Sequence, residues 1–314
     1  MGLFSRSSLD RLFSVNPWAG AFRDAISTVS RANGNAIGVN RVREIAASAE
    51  FVQARRDASI ERVRLGGRAL ELWAAEMRDL CADSSEGVTA IAIRECAVVD
   101  VSGEAFARTV ELAGVELPGD FRAANTRFAA DVWCNAAVFG GKVDLRATAF
   151  GGVLNLEHAR FADTADFSRV SFEARVEARH VTFEAAVSFA EACFAGDIWA
   201  RPAEFGGAAD FTKVDFAGEA GFGQSRFAGR ADFSGAVFHG GAGFDSCRFE
   251  GPAGFQSARF EKAAWFQKAR FEGPADFGRA RFKGKLAFEG ATAAEAAPGA
   301  REQIEALRAA MGEG

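Results

Sequence analysis

The sequence predicts an all-β solenoid wound in four-sided coils of 22 residues, and three observations predict it. Phenylalanine returns every 11 residues without a gap at Phe128, Phe139, Phe150, Phe161, Phe172 and onward to Phe282. A second row interleaves with the first at Phe167 and Phe189, then from Phe211 to Phe288, so that aromatic steps alternate 5 and 6. The residues just before the second row split into two series that are coherent only at a spacing of 22. One reads Asp144, Asp166, Ser188, Asp210, Asp232, Gly254, Asp276; the other reads Trp133, Asn155, Glu177, Trp199, Gly221, Gly243, Trp265, Ala287. A fixed period of this kind signals stacked units, each covering its neighbour's apolar face.

Each side of the coil is expected to be a short extended segment. Side chains two apart on such a segment share a face, so each Phe and the small residue two before it (Ala209, Ala231, Ala242) point inward together. Where the aromatic is missing the inward partner is larger: Val132 with Cys134, Val176 with Ala178, Ile198 with Ala200. That is volume compensation in a close-packed interior. The chain has 31 Phe and no Tyr, which suits an interior where a phenol hydroxyl would find no partner. Glycine two residues after most of the 11-spaced Phe (Gly196, Gly218, Gly229, Gly240, Gly251, Gly273, Gly284) is expected to supply a positive φ at the corner of the longer side.

The repeating units read AADF, RADF, PADF, ARF and AWF. This resembles the pentapeptide-repeat family, whose units read A(D/N)LXX with Leu or Phe at the centre, over roughly residues 99–290. The resemblance implies a right-handed quadrilateral parallel β-helix. The extra residue in alternate units is expected to widen two of its four corners. At about 4.8 Å per coil, eight or so coils would make a rod roughly 40 Å long.

Residues 1–85 have a different texture, and the apolar spacing after Pro17 and after Asn40 predicts helices, interrupted at Asn33-Gly34-Asn35 and Gly66-Gly67. They are expected to cover the first coil, hiding an edge of unpaired backbone groups, or else to form an arm that binds a partner. The β-helix is expected over 86–290. Over 291–314 Ile304, Leu307 and Met311 form one stripe of a helix. That helix is expected to close the far end, with self-association through the terminal helices as the other use.

A formal net charge of −5 and a pI near 5.5 argue against direct nucleic-acid binding, and no apolar run reaches membrane-spanning length. The first residues show no secretory apolar core, and Arg6 stands where a myristoylation signal wants Ser or Thr. The five Cys share no metal spacing and read as free thiols in a reducing compartment. The expected location is the cytoplasm.

No nucleophile–base set, phosphate loop or metal motif is present, so neither catalysis nor a cofactor is expected. The nearest local chemistry is His158 and His180, which are 22 apart and so stack on adjacent coils with Glu157 and Glu177 nearby. Without a third ligand they make a weak metal or enzymatic patch. The surface rows say more. Asp144, Asp166, Asp210, Asp232 and Asp276 line one face and are expected to hydrogen-bond the backbone at the corners. Arg226, Arg248 and Arg270 line the adjoining face, with Arg259 and Arg281 opposite, so the prism reads as charge-segregated. Trp133, Trp199 and Trp265 stand on every third coil of one face, with Gly221 and Gly243 leaving a shallow trough between the last two. Aligned surface aromatics suit protein binding. The expected function is a non-catalytic scaffold that binds an unidentified protein across a flat face. The resemblance also raises mimicry of duplex DNA toward a type II topoisomerase. Mimicry needs acidity along a whole side, which the Arg rows oppose.

Overall fold

The computed structural model describes the short strands Leu3–Ser5, Ala36–Gly38, Arg62–Leu65, Arg68–Glu71 and Cys96–Asp100, residues 101–107 and 109–294, and the helix Pro298–Ala310. From Ala105 to Ala293 the chain is a succession of strands of two residues, three at Asp120–Arg122, visiting four sides in turn. On two opposite sides the strand reads out–in, as in Arg226–Phe227, with the arginine exposed and the ring buried. On the other two it reads in–out, as in Ala209–Asp210. Each strand pairs in parallel with the strand 22 residues on: Phe227 with Phe249, Trp199 with Gly221, Asp210 with Asp232. The result is four sheets whose coil strands run parallel, nine in each when Cys96–Asp100 is counted on the Asp side. The Trp side stands opposite the Asp side. The side carrying Arg160, Arg226, Arg248 and Arg270 joins them, and the side of Arg259 and Arg281 faces it.

The interior is a set of Phe columns. Phe106 to Phe282 form one, Phe139 to Phe271 a second and Phe167 to Phe277 a third, while the fourth, under the Trp side, holds rings only from Phe222 to Phe288. Neighbours within a column stack at the coil spacing, as do Phe205 and Phe227 at 4.6 Å and 1°. Neighbours in adjacent columns meet edge to face, as do Phe233 and Phe244 at 5.1 Å and 81°. Such pairs contribute about 0.5–1.5 kcal/mol beyond the area they bury. Before Phe222 the fourth column is filled by the exchange of large and small residues that the sequence anticipates: Val132 with Cys134, Leu154 with Leu156, Val176 with Ala178 and Ile198 with Ala200 are all buried. The exchange is incomplete, and a cavity of about 30 Å³ remains between Cys134, Leu145, Leu156 and Phe167.

Thr126, Thr148 and Ser225 replace the small inward residue, and their buried hydroxyls donate to the carbonyls of Val101, Ala123 and Ala200, each 25 residues back. A polar atom in this shaft is therefore satisfied by the coil beneath it.

The corners differ from expectation in an instructive way. Two of the four are wider, as the 5/6 alternation requires, and in them the positive φ falls three residues before the 11-spaced Phe, at Asn125, Ala136, His158, Lys213 and Gln224 among others. The glycines two residues after Phe occupy the narrow corners, and their φ is not positive. They are glycine because the next coil comes too close: a Cβ on Gly218 would stand 2.6 Å from the carbonyl carbon and oxygen of Gly196.

The predicted N-terminal helices are corrected where the structure describes the chain. Arg62–Leu65 and Arg68–Glu71 are antiparallel strands, and the first of them pairs with Cys96–Asp100 at the start of the Asp-side sheet. Leu3–Ser5 pairs antiparallel with Ala36–Gly38. Val63, Leu65 and Leu70 satisfy a strand alternation as well as a helical one, and Val63 stands opposite Leu70 in the antiparallel pair. The other helical expectations in residues 1–85 lie outside the described residues. At the far end, Pro298–Ala310 is a helix, with Ile304 buried and Leu307 partly buried against the coil core. The side-chain oxygen of its Gln303 accepts the N–H of Phe277; Met311 lies outside the described residues.

Candidate functional site

On the Trp side an inward aliphatic residue anchors each strand, and the following residue is held outward. Trp133, Trp199 and Trp265 are all half-buried on this surface, each after a buried Val, Ile or Ala. Trp199 lies over Gly221, where a Cβ would stand 2.7 Å from its ring, and Trp265 lies over Gly241, also at 2.7 Å. Between the two indoles Gly243 is left as open floor, since a Cβ there would meet nothing closer than 3.6 Å. The trough has a volume of about 310 Å³. Arg201, Glu219 and Asp245 complete its walls.

Opposite, the Asp row turns its carboxylates toward its own backbone. The N–H two residues on donates to each: Arg146 to Asp144 at 3.2 Å, Ser168 to Asp166 at 2.9 Å, Thr212 to Asp210 at 2.9 Å, Ser234 to Asp232 at 3.0 Å and Gly278 to Asp276 at 2.7 Å. Stacked like charges are thereby satisfied at the corner. Arg146 also grips Asp144 with its guanidinium, and these bonds hold that carboxyl below its ordinary value. Burial pushes Asp232 up, but bonds from Ser234 and Arg230 outweigh it and leave the group lowered. A small inward residue, then Asp bonding the corner, then an inward Phe: that is the working unit of this coil.

The family model described as "Pentapeptide repeats (9 copies)" matches residues 203–247 and 244–292. The chain carries pentapeptide repeats. No curated protein sequence matches it.

The other surface rows of the pentapeptide-repeat coil come out differently from the sequence reading. Arg226 pairs with Glu250 at 2.8 Å and Arg248 with Glu272 at 2.8 Å, each 24 residues on, as does Arg160 with Glu184 at 2.6 Å. This side is a mixed ladder rather than a basic stripe. Arg270 ends it without an ion pair among the described residues, because Ala294 stands where the next glutamate would be. The glutamates escaped the sequence reading because each sits one residue past a Phe, 24 rather than 22 residues from the arginine it pairs with.

His158 and His180 do stack, ring centroids 4.7 Å apart and 1° from parallel, at exposed positive-φ corners. Glu177 is taken by Arg175 at 3.0 Å and Arg179 at 3.3 Å. Among the described residues no group of three His, Cys, Asp or Glu side chains is placed to hold a metal ion. Sequence reasoning found the Trp row and two of its glycines but missed Arg201, Glu219 and Asp245. The available signal was their position, two residues from Trp199, Gly221 and Gly243 on the same outward face.

Proposed function

We propose that this chain is a non-catalytic scaffold that binds a partner protein across the Trp side of its pentapeptide-repeat coil. The supporting observation is the trough itself: two half-buried indoles on a rigid prism, each resting on a glycine, with Gly243 open between them. Surface aromatics fixed in this way are the common anchors of protein interfaces. The helix Pro298–Ala310 spends its buried Ile304 on the coil, which favours closure of the far end over self-association through that stripe. Among the described residues no helix is long and apolar enough to cross a membrane.

The topoisomerase-mimic reading draws less support. Arg122, Arg146 and Arg230 pair with carboxylates along the Asp side, so that side lacks the unbroken negative charge of a duplex. The scaffold reading is tested by affinity capture from the native host with the wild-type chain and with Trp199→Ala plus Trp265→Ala. The double variant should keep its melting transition and lose the partner. Retention of every partner would make the Trp row purely structural.

A further inference from the structure

We propose that the trough between Trp199 and Trp265 takes the guanidinium of a single arginine side chain presented by the partner. The biological source of that arginine rests on the scaffold reading, whereas the chemistry rests on the trough. A volume of about 310 Å³ is at the lower end for ligand pockets and suits one side chain rather than a larger molecule. Two indoles line it, and an indole is the ring on which a cation stacks best, Arg being the commonest such cation. The carboxylates decide among cations. Glu219 is exposed and Asp245 half-buried, and neither pairs with a Lys or Arg among the described residues. They flank the floor from opposite ends of successive strands, Glu219 two residues before Gly221 and Asp245 two residues after Gly243. A quaternary ammonium would stack but leave both without donors. A guanidinium stacks and supplies donors in a fork that matches carboxylates.

Among the described residues Arg201 is the one positive group lining the trough, its Cδ lying 3.4 Å from where a Gly221 Cβ would be. Two carboxylates against one guanidinium leave a net −1, so the trough favours a second cation and Arg201 is its competitor. The four glycines at 221, 223, 241 and 243 are all buried although the strand places them outward. At 221, 223 and 241 a Cβ would collide with Trp199, Asp245 or Trp265. Elsewhere on this side the same place carries Trp133, Asn155, Glu177 or Ala287, so a glycine floor, with room for a side chain only at Gly243, is peculiar to these coils.

The probe is the blocked tripeptide acetyl-Gly-Arg-Gly-amide, titrated into the full chain while the indole N–H resonances are followed by NMR. Saturable shifts are expected at Trp199 and Trp265 and none at Trp133. The same peptide with citrulline, a neutral isostere of arginine, or with lysine should bind at least tenfold more weakly. Glu219→Gln with Asp245→Asn should weaken binding at least tenfold, and Arg201→Gln should strengthen it severalfold. Gly243→Val fills the floor where a Cβ meets nothing closer than 3.6 Å, so it should abolish binding with the thermal melt unchanged. Should that variant misfold, the charge variants decide the matter. No shift at either indole, equal binding of the citrulline or lysine peptide, or weaker binding by Arg201→Gln would overturn the inference. Peptide binding without a captured host partner would remove the scaffold reading and leave the trough standing.

Discussion

At Gly218 an added Cβ would meet the carbonyl carbon and oxygen of Gly196 at 2.6 Å, backbone that cannot swing aside, whereas at Gly243 it would meet nothing within 3.6 Å. Neither glycine has a positive φ, so the two differ in space alone. Gly218→Ala must push two coils apart and is expected to cost about 1–3 kcal/mol, the usual range for overpacking, while Gly243→Ala should fall within about 0.5 kcal/mol of wild type. Chemical denaturation of both variants checks this; equal costs would mean the narrow corner is not held by close approach. The sequence shows where glycines recur but not which of two reasons applies, since the spacing between coils is a property of their stacking. The same holds at the wide corners, where the positive φ sits on Ala136, Lys213 and Gln224, residue types that do not announce it.

A column of rings is the element that sets stability here. Phe233 is fully buried, stacks on Phe211 at 4.7 Å and Phe255 at 5.1 Å, and meets Phe222 and Phe244 edge to face. Phe233→Ala is expected to lose about 3–5 kcal/mol through lost burial and the cavity left behind. Breaking the surface ladder instead, with Arg248→Ala, should cost less than about 1 kcal/mol, because both partners are solvated. Urea unfolding separates the two effects. Comparable losses would mean that salt bridges, not rings, hold successive coils together. The columns were fully legible from the 11- and 22-residue beats, because an inward side chain repeats whenever the backbone does. The ladder was not, because a long side chain reaches a partner outside its own register.

Over the whole molecule, carboxyls held low by their partners make stability depend on pH. Asp144 is lowered chiefly by Arg146, Glu250 by Arg226 and Glu261 by Lys283, and Asp232 is lowered despite its burial. A carboxyl lowered in the folded chain binds a proton less readily there than when unfolded. Its contribution is therefore full above the ordinary values of 3.8 for Asp and 4.5 for Glu and is lost as pH falls through the lowered ones. The melting temperature should hold from pH 7 to about 5 and then fall. Asp144→Asn with Asp232→Asn should make that fall shallower. An unchanged acid slope in the double variant would place the linkage elsewhere. Because each coil touches only its neighbours, the loss should spread along the rod rather than act at one point.

The sequence by itself determined the lap of 22 residues, the four-sided winding, the inward columns and the faces on which Asp, Arg and Trp recur. These follow from local periodicity, which needs no knowledge of what lies across a coil. Tertiary structure alone decided that Arg62–Leu65 and Arg68–Glu71 join the sheet as antiparallel strands, that Arg226 and Arg248 are matched by Glu250 and Glu272, and that Arg201, Glu219 and Asp245 wall the trough between Trp199 and Trp265. Each of these depends on how far a side chain leans, or which edge a strand finds, and a repeat read along one dimension carries no record of either.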